Sequence, residues 1–309
     1  KISNLCRKLN LFTLSSHLNR SLCTPIKKRA LMMELRKFTP FGDISALTLG
    51  GGGLGQVWGK TSREEALETV AMALDHGINH LDVAPMYGRG EAELVIGEAL
   101  QGKNADDLHI TTKCQVGTPK DEKVYEKLNK SLTNSLKIMG LEKINLFLMH
   151  SQLIEDDFEL FQFNEHRGKN ATTLSCYFNG VIPAFERLKR EGKIDHWGIG
   201  GVGQKEAVLA ALNHESSPAA VQCVINPLKS AGGMAYVSET FNPEIILKEC
   251  QNKDIPILAI RAVQAGALTS SMDREPHPSG FDKKDFNDFA KAAPFRQLAQ
   301  EWGESPASL

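Results

Sequence analysis

The sequence predicts an α/β fold, a (β/α)8 TIM barrel that reaches the end of the printed sequence before its eighth strand. Short apolar runs of strand length alternate seven times with segments of helical periodicity. A strand followed by a helix, repeated in this way, gives right-handed crossovers and a parallel sheet. Seven such units over this span favour a barrel over an open sheet, because such barrels typically occupy about 250 residues.

The elements follow in chain order from residue 34, beginning with a short hairpin over 34–50. Ser62 is a helix N-cap, and Gly77, Gly140, Gly192 and Gly303 each follow a helix. The predicted strands are 46–50, 79–84, 108–113, 145–149, 196–200, 220–226 and 257–262. The predicted helices are 62–76, 91–100, 122–139, 181–190, 205–213, 243–251 and 294–302.

Two connections are much longer than the others and leave the C-terminal ends of predicted strands. They span residues 151–179 and 264–293, and we expect both to cover the catalytic face of the barrel. Ser305 and Pro306 begin a further helix just before Leu309, the last residue printed. With seven strands, we expect the edges of strands one and seven to stay unpaired.

Residues 1–33 differ in composition from the barrel domain predicted over 34–309. They are basic and contain serine but no acidic residue, which is the composition of an organelle transit peptide. The alternative is a stretch encoded upstream of a true start at Met32 or Met33. We expect a cytoplasmic protein under the second interpretation and a mitochondrial or plastid protein under the first.

Overall composition excludes several classes of protein. A net charge of −1 in 309 residues argues against nucleic-acid and membrane-surface partners. The six cysteines are scattered without metal-ligand spacing, so we expect free thiols and no metal site. No apolar run is long enough to span a bilayer.

Four polar side chains fall at the C-terminal ends of three adjacent predicted strands. Asp82 lies near the C-terminal end of strand two with Tyr87 on the following loop, Lys113 ends strand three, and His150 lies directly after strand four. Each alone has an ordinary structural explanation, such as a cap, an anchor or a hydrogen-bonded core histidine. Because the carboxyl ends of parallel strands meet at one edge, the four together predict a site.

This set is suited to delivering a proton to a carbonyl group. A free tyrosine has a pKa of about 10, and a neighbouring Lys113 charge is expected to lower it. Asp82 would keep the lysine charged, and His150 would donate a hydrogen bond to the carbonyl oxygen. None of these groups supplies a hydride, so a nicotinamide cofactor is required.

Residues 34–309 resemble the aldo-keto reductase superfamily, barrel oxidoreductases that use NADP(H). The resemblance lies in the block 77–88, in the strand ends at Lys113 and His150, and in 192–198, which enters strand five. It implies that Tyr87 is the general acid, tuned by its neighbours, and that the substrate is a small carbonyl compound or sugar. The cofactor-binding residues that it implies are Gly200, Gly201, Gln222, Arg261, Gln264, Gly266 and Leu268.

The chain departs from the family pattern at the cofactor. Gly200 and Gly201 stand where the family often has Ser-Asn, and Ile260 or Arg261 replaces an aromatic that often stacks on the nicotinamide. The family's clamp for the 2′-phosphate follows strand eight, so NADP preference is implied by the resemblance alone.

The glycines of 50–55 match G-x-G-x-x-G, but no helix follows at once, so we interpret them as a close-approach loop. Trp58 beyond them would form a substrate-facing wall or simply pack the loop.

Of three alternative classes of protein, the sequence excludes one and leaves two open. A short-chain dehydrogenase fails because no tyrosine has a lysine four residues later. A non-catalytic regulatory barrel that binds nicotinamide remains open. So does an aldose dehydrogenase that works in the oxidative direction.

Overall fold

The computed structural model describes residues 33–39, 41–238, 242–277 and 280–309. The predicted N-terminal extension, apart from Met33, lies outside them. The core of the described chain is a parallel sheet of seven strands, which curls into a half-barrel. These strands are β3 (Leu49–Gly50), β4 (His80–Asp82), β5 (His109–Cys114), β6 (Ile144–Met149), β9 (Ile194–Gly200), β10 (Val221–Val224) and β11 (Ile257–Ile260). They lie in the order β11-β10-β9-β6-β5-β4-β3.

The remaining strands form two small sheets. Strands β1 (Leu35–Phe38) and β2 (Gly42–Ser45) make the expected antiparallel hairpin. Strands β7 (Gln152–Ile154) and β8 (Ala171–Thr173) pair in parallel within the long connection that follows β6.

Within the described residues, eight helices of nine or more residues connect and flank these strands. Each of the predicted helices corresponds to one of them. They are α1 (Arg63–Asp75), α2 (Glu91–Leu100), α3 (Asp121–Met139), α4 (Ile182–Arg190), α5 (Lys205–Asn213), α6 (Glu244–Asn252), α7 (Lys283–Lys291) and α8 (Ala293–Trp302). Ser62 and Glu65 form a capping box at the start of α1, and Gly140 and Gly303 end α3 and α8 in the left-handed conformation. Within the described residues, no helix is long and apolar enough to cross a membrane.

The predicted barrel is confirmed, with seven strands in chain order around the sheet. Within the described residues, β3 and β11 each have one neighbour in this sheet, so both edges remain open as expected. The two long connections contain β7, β8 and α7, which the sequence pattern did not predict. Helix α7 was missed because the residues it buries include Asp285 and Asp288 rather than an apolar stripe.

The β1–β2 hairpin packs at the N-terminal ends of the strands. Phe38 and Ile44 are buried in one cluster with inward-facing residues of the sheet, Leu146 and Leu148 among them. Phe41 stacks on His109, which begins β5, at 5.2 Å between ring centroids. The hairpin thus covers the floor of the half-barrel and leaves the opposite, C-terminal edge for the site.

His80 is a fully buried histidine near this floor. Its two ring nitrogens lie 2.8 Å from Thr48 Oγ1 and 2.8 Å from Thr111 Oγ1. Burial lowers the pKa of His80 from 6.5 to about 4, although the Asp82 charge acts in the opposite direction. The folded chain therefore resists protonation here, whereas the unfolded chain takes up the proton below about pH 6.5.

Because of this difference, the free energy of unfolding is expected to fall as the pH drops from about 6.5 towards 4. Between pH 7 and pH 5, His80 should account for a loss of about 2 kcal/mol, which a His80→Gln variant should not show. Urea unfolding of both proteins at the two pH values measures this difference. Parallel losses in both proteins would contradict it.

Candidate active site

Strand register brings the predicted polar residues to one edge of the sheet. Asp82 is the last residue of β4 and pairs with Thr111 in β5, while Lys113 in β5 pairs with Leu148 in β6. His150 follows β6 directly. Because the three strands are adjacent and parallel, their C-terminal ends meet.

Tyr87 reaches this edge from a tight turn after β4, the helical turn Tyr87–Gly90. Gly88 and Arg89 both have positive φ, at 65° and 57°. A Cβ on Gly55 would lie 2.5 Å from the Tyr87 carbonyl carbon, so that only a bare backbone fits there. Gly55 ends the short helical turn Gly51–Leu54, and this agrees with the close-approach interpretation of the glycine-rich segment.

Lys113 lies at the centre of the site, with its side chain only 1% exposed. Its Nζ lies 2.7 Å from Asp82 Oδ1 and donates to the Val83 carbonyl oxygen at 2.8 Å and to Tyr87 Oη at 3.2 Å. Three acceptors thus surround an ammonium that has three N–H groups. A buried charge needs such partners, and they fix Lys113 in one orientation.

The pKa values of Lys113 and Tyr87 are both shifted by burial and by neighbouring charges. Burial alone would lower the pKa of Lys113, but Asp82 and Tyr87 raise it, and the net pKa lies above its usual value. Burial raises the pKa of the Tyr87 phenol, and the opposing Lys113 charge does not outweigh it. Lys113 thus lowers the Tyr87 pKa as predicted, but the net pKa lies above its usual value because burial has the larger effect. At neutral pH, Tyr87 is protonated.

His150 completes the set, with its ring edge-on to the Tyr87 ring at 5.9 Å between centroids and an interplanar angle of 86°. Burial and then the Lys113 charge lower the pKa of His150 to about 3. The imidazole is therefore neutral at pH 7, with one nitrogen as a hydrogen-bond donor and the other as an acceptor. A neutral donor is sufficient to stabilise charge that develops on a nearby oxygen.

Three of the predicted cofactor-binding residues adjoin this set. Gly200 and Gln222 pair in register between β9 and β10, and the Gly201 N–H donates to the Gln222 carbonyl oxygen at 2.7 Å. A Cβ on Gly201 would approach Cys223 Sγ to 2.9 Å, which explains why no side chain stands there. The Gln222 Nε2 donates to Asp82 Oδ2 at 2.9 Å.

The other four predicted cofactor residues lie in the segment that follows β11. Gln264 is fully buried, accepts from Arg261 Nε at 2.9 Å and donates to Asp288 Oδ2 at 2.8 Å. The N–H groups of Gln264, Gly266 and Leu268 donate to carbonyl oxygens of the same loop at 2.9, 3.1 and 3.1 Å. The structure does not place these residues in contact with the four catalytic candidates, and their cofactor role stays a prediction.

A buried ionic cluster that the sequence did not reveal holds this segment to α7. Arg261 lies 2.5 Å from Asp285, and Arg274 pairs with Asp282. Trp58 lies against this cluster, 5.7 Å from the guanidinium carbon of each arginine. The spacing Asp282, Asp285, Asp288 repeats every three residues, and this acidic face was the available signal.

A cavity of about 710 Å³ opens beside the site. Its described lining includes Lys113, His150, Pro85 and Met86, together with polar residues of α3. Trp58 is not among the described lining residues, so its predicted substrate contact stays a prediction. The cavity has room for a small molecule next to Lys113 and His150.

Comparison with known families identifies the class of oxidoreductases to which this barrel belongs. The chain belongs to the aldo/keto reductase family, whose model matches residues 46–309. The resemblance found in the sequence is thereby confirmed.

The curated relatives differ in the activities that their names give. The chain is 24% identical over 258 residues to L-galactose dehydrogenase of Arabidopsis thaliana, covering 82% of this chain and 72% of that protein. It is 23% identical to the NADH-specific methylglyoxal reductase of Escherichia coli strain K12, covering 79% and 72%. These two relatives are thus named for different reactions.

Among solved structures, the chain is similar to an aldo/keto reductase from Klebsiella pneumoniae in complex with NADP and acetate. The TM-score is 0.56 at 20% identity, covering 89% of this chain and 78% of that chain. This likeness supports the fold.

Proposed function

We propose that this chain is an enzyme that transfers a hydride between NADP(H) and the carbonyl carbon of an aldehyde, ketone or sugar. One observation carries the proposal. A buried lysine contacts both a carboxylate, at 2.7 Å, and a tyrosine hydroxyl, at 3.2 Å, with a neutral histidine against the same tyrosine.

The residues divide the proton chemistry among themselves. Tyr87 Oη donates its proton to the carbonyl oxygen, and Lys113 stabilises the phenolate that remains. Asp82 holds Lys113 in place, while the N–H of His150 donates a hydrogen bond to the same oxygen as negative charge develops there. None of these four side chains can supply a hydride, which fits a nicotinamide cofactor that supplies it when bound. Gly200 and Gly201 would adjoin its nicotinamide end.

The protonation state of Tyr87 favours the reductive direction. A phenol whose pKa is raised by burial is protonated at neutral pH and is ready to act as an acid. Oxidation of an alcohol would need the same group as a base. The similarity to a sugar dehydrogenase keeps aldose oxidation as a second candidate.

The test is steady-state turnover of NADPH and NADH with a panel of aldehydes, ketones and aldoses, and of NADP⁺ and NAD⁺ with the same aldoses. We expect carbonyl-dependent oxidation of the reduced cofactor, faster with NADPH than with NADH. Faster turnover with NADH would overturn the cofactor assignment alone, and exclusive oxidation of aldoses would select the second candidate. Tight cofactor binding with no turnover on any substrate would instead indicate a non-catalytic regulatory barrel.

A further inference from the structure

The hydrogen bond between Gln222 and Asp82 crosses the interior of the half-barrel. Gln222 lies in β10 and Asp82 in β4, and they are 140 residues apart in the chain. Both are buried, at 5% and 8% exposure. Such a contact excludes water from both groups and is costly to leave unmade.

This bond accounts for the second oxygen of the Asp82 carboxylate. Oδ1 lies 2.7 Å from Lys113 Nζ, and Oδ2 accepts from Gln222 Nε2 at 2.9 Å. With one partner on each oxygen, the plane of the carboxylate is fixed. Without Gln222, the carboxylate is free to rotate, and its contact with Lys113 loses its fixed geometry.

The backbone holds the Gln222 amide in place. The residue lies between two neighbouring strands, paired with Gly200 in β9 and with Leu258 in β11. Its carbonyl oxygen accepts the Gly201 N–H at 2.7 Å. The donor that reaches Asp82 therefore sits on a rigid element, as accurate positioning of a catalytic group requires.

We propose that Gln222 is a positioning residue for proton transfer, which orients Asp82 so that Lys113 stays in contact with Tyr87. This inference rests on the proposed function and extends it. The family resemblance implies only a contact between Gln222 and the nicotinamide carboxamide. A positioning residue acts on turnover at saturating cofactor, whereas a cofactor contact acts on affinity.

The first experiment replaces Gln222 with methionine, which has similar length and no N–H donor. In Gln222→Met, we expect kcat at saturating cofactor to fall about 10-fold, as expected for a catalytic group that is slightly misplaced. The cofactor dissociation constant, measured by fluorescence titration, should change less than threefold. Unchanged kcat with a weakened cofactor affinity would overturn the proposal in favour of the cofactor contact.

The second experiment uses Gln222→Glu, which keeps the length and introduces a titratable donor. A protonated carboxyl can donate to Asp82. Once ionised, it repels Asp82, because two neighbouring carboxylates carry like charges. We expect kcat of this variant to be close to wild type at acidic pH and to fall as the pH rises through neutral. A pH profile parallel to that of the wild type would overturn the proposal.

The matched control is Gln204→Glu. Gln204 Nε2 donates to Glu155 Oε2 at 2.6 Å in an exposed pair outside the site. This variant should keep the wild-type pH profile, and a new pH limb in it would show that the effect does not depend on Asp82.

Ultraviolet titration of tyrosine ionisation gives a readout that needs no turnover. The Tyr87→Phe protein identifies the Tyr87 component of the titration curve. In Gln222→Glu, this component should shift to higher pH, because added negative charge beside Asp82 disfavours the phenolate. If the wild-type chain turns over no substrate while this shift is present, the proposed function fails but the Gln222–Asp82–Tyr87 linkage holds. Absence of the shift would overturn the linkage itself.

Discussion

The Tyr87→Phe variant is expected to lose at least ~10²-fold in kcat while it keeps its affinity for the cofactor. Phenylalanine preserves the ring that packs edge-on against His150 but removes the proton that the mechanism transfers. It also removes the hydroxyl that accepts from Lys113 at 3.2 Å. Steady-state kinetics and a cofactor fluorescence titration on the same preparation measure the two quantities separately.

The matched control for this experiment is Tyr125→Phe. Tyr125 donates to Glu191 at 2.8 Å at the surface, and Arg187 lies over its ring. We expect this variant to have wild-type turnover. A Tyr87→Phe enzyme that also turned over at nearly the wild-type rate would remove Tyr87 from the mechanism.

Replacement of Lys113 by methionine should affect both stability and turnover. In Lys113→Met, the buried Asp82 side chain loses its ion-pair partner. We therefore expect the free energy of unfolding to fall by about 3–5 kcal/mol. Turnover should fall by at least the ~10²-fold expected for Tyr87→Phe, because the phenolate left after proton transfer has no cation to stabilise it. Urea unfolding and steady-state kinetics measure the two losses.

A double variant separates stability from catalysis at the same pair. Lys113→Met combined with Asp82→Asn removes the unpaired charge, so it should recover part of the stability but none of the turnover. Lys143→Met is the surface control, since its pair with Asp195 at 2.8 Å is largely exposed and is worth at most about 1 kcal/mol. If Lys113→Met were as stable as this control, Asp82 would not depend on Lys113 for its burial.

The barrel and the four catalytic candidates could be predicted because both follow from local patterns. Apolar runs identified the seven strands, and in a parallel sheet the residue that ends each strand is placed at a common edge. Asp82, Lys113 and His150 therefore meet for the same reason that the strands align. Residue types alone then indicated the chemistry.

The features that were missed depend on contacts between distant parts of the chain. The Gln222–Asp82 hydrogen bond joins residues that are 140 positions apart, and no sequence spacing predicts such a contact. Helix α7 was not predicted because it buries Asp285 against Arg261, so that its inner face carries charge instead of apolar residues. The net pKa of Tyr87 was misjudged because burial, which the sequence does not show, outweighs the Lys113 charge.

A deuterium label shows directly whether this chain transfers a hydride from the nicotinamide to a carbonyl carbon. NADPH carrying deuterium in the transferable position at C4 of the nicotinamide is incubated with the chain and each carbonyl compound of the panel, and the products are analysed by mass spectrometry and NMR. We expect an alcohol with one deuterium on the former carbonyl carbon, formed by the wild-type protein and at least ~10²-fold more slowly by Tyr87→Phe. If bound cofactor kept all of its deuterium with every substrate tested, the chain would not be a carbonyl reductase.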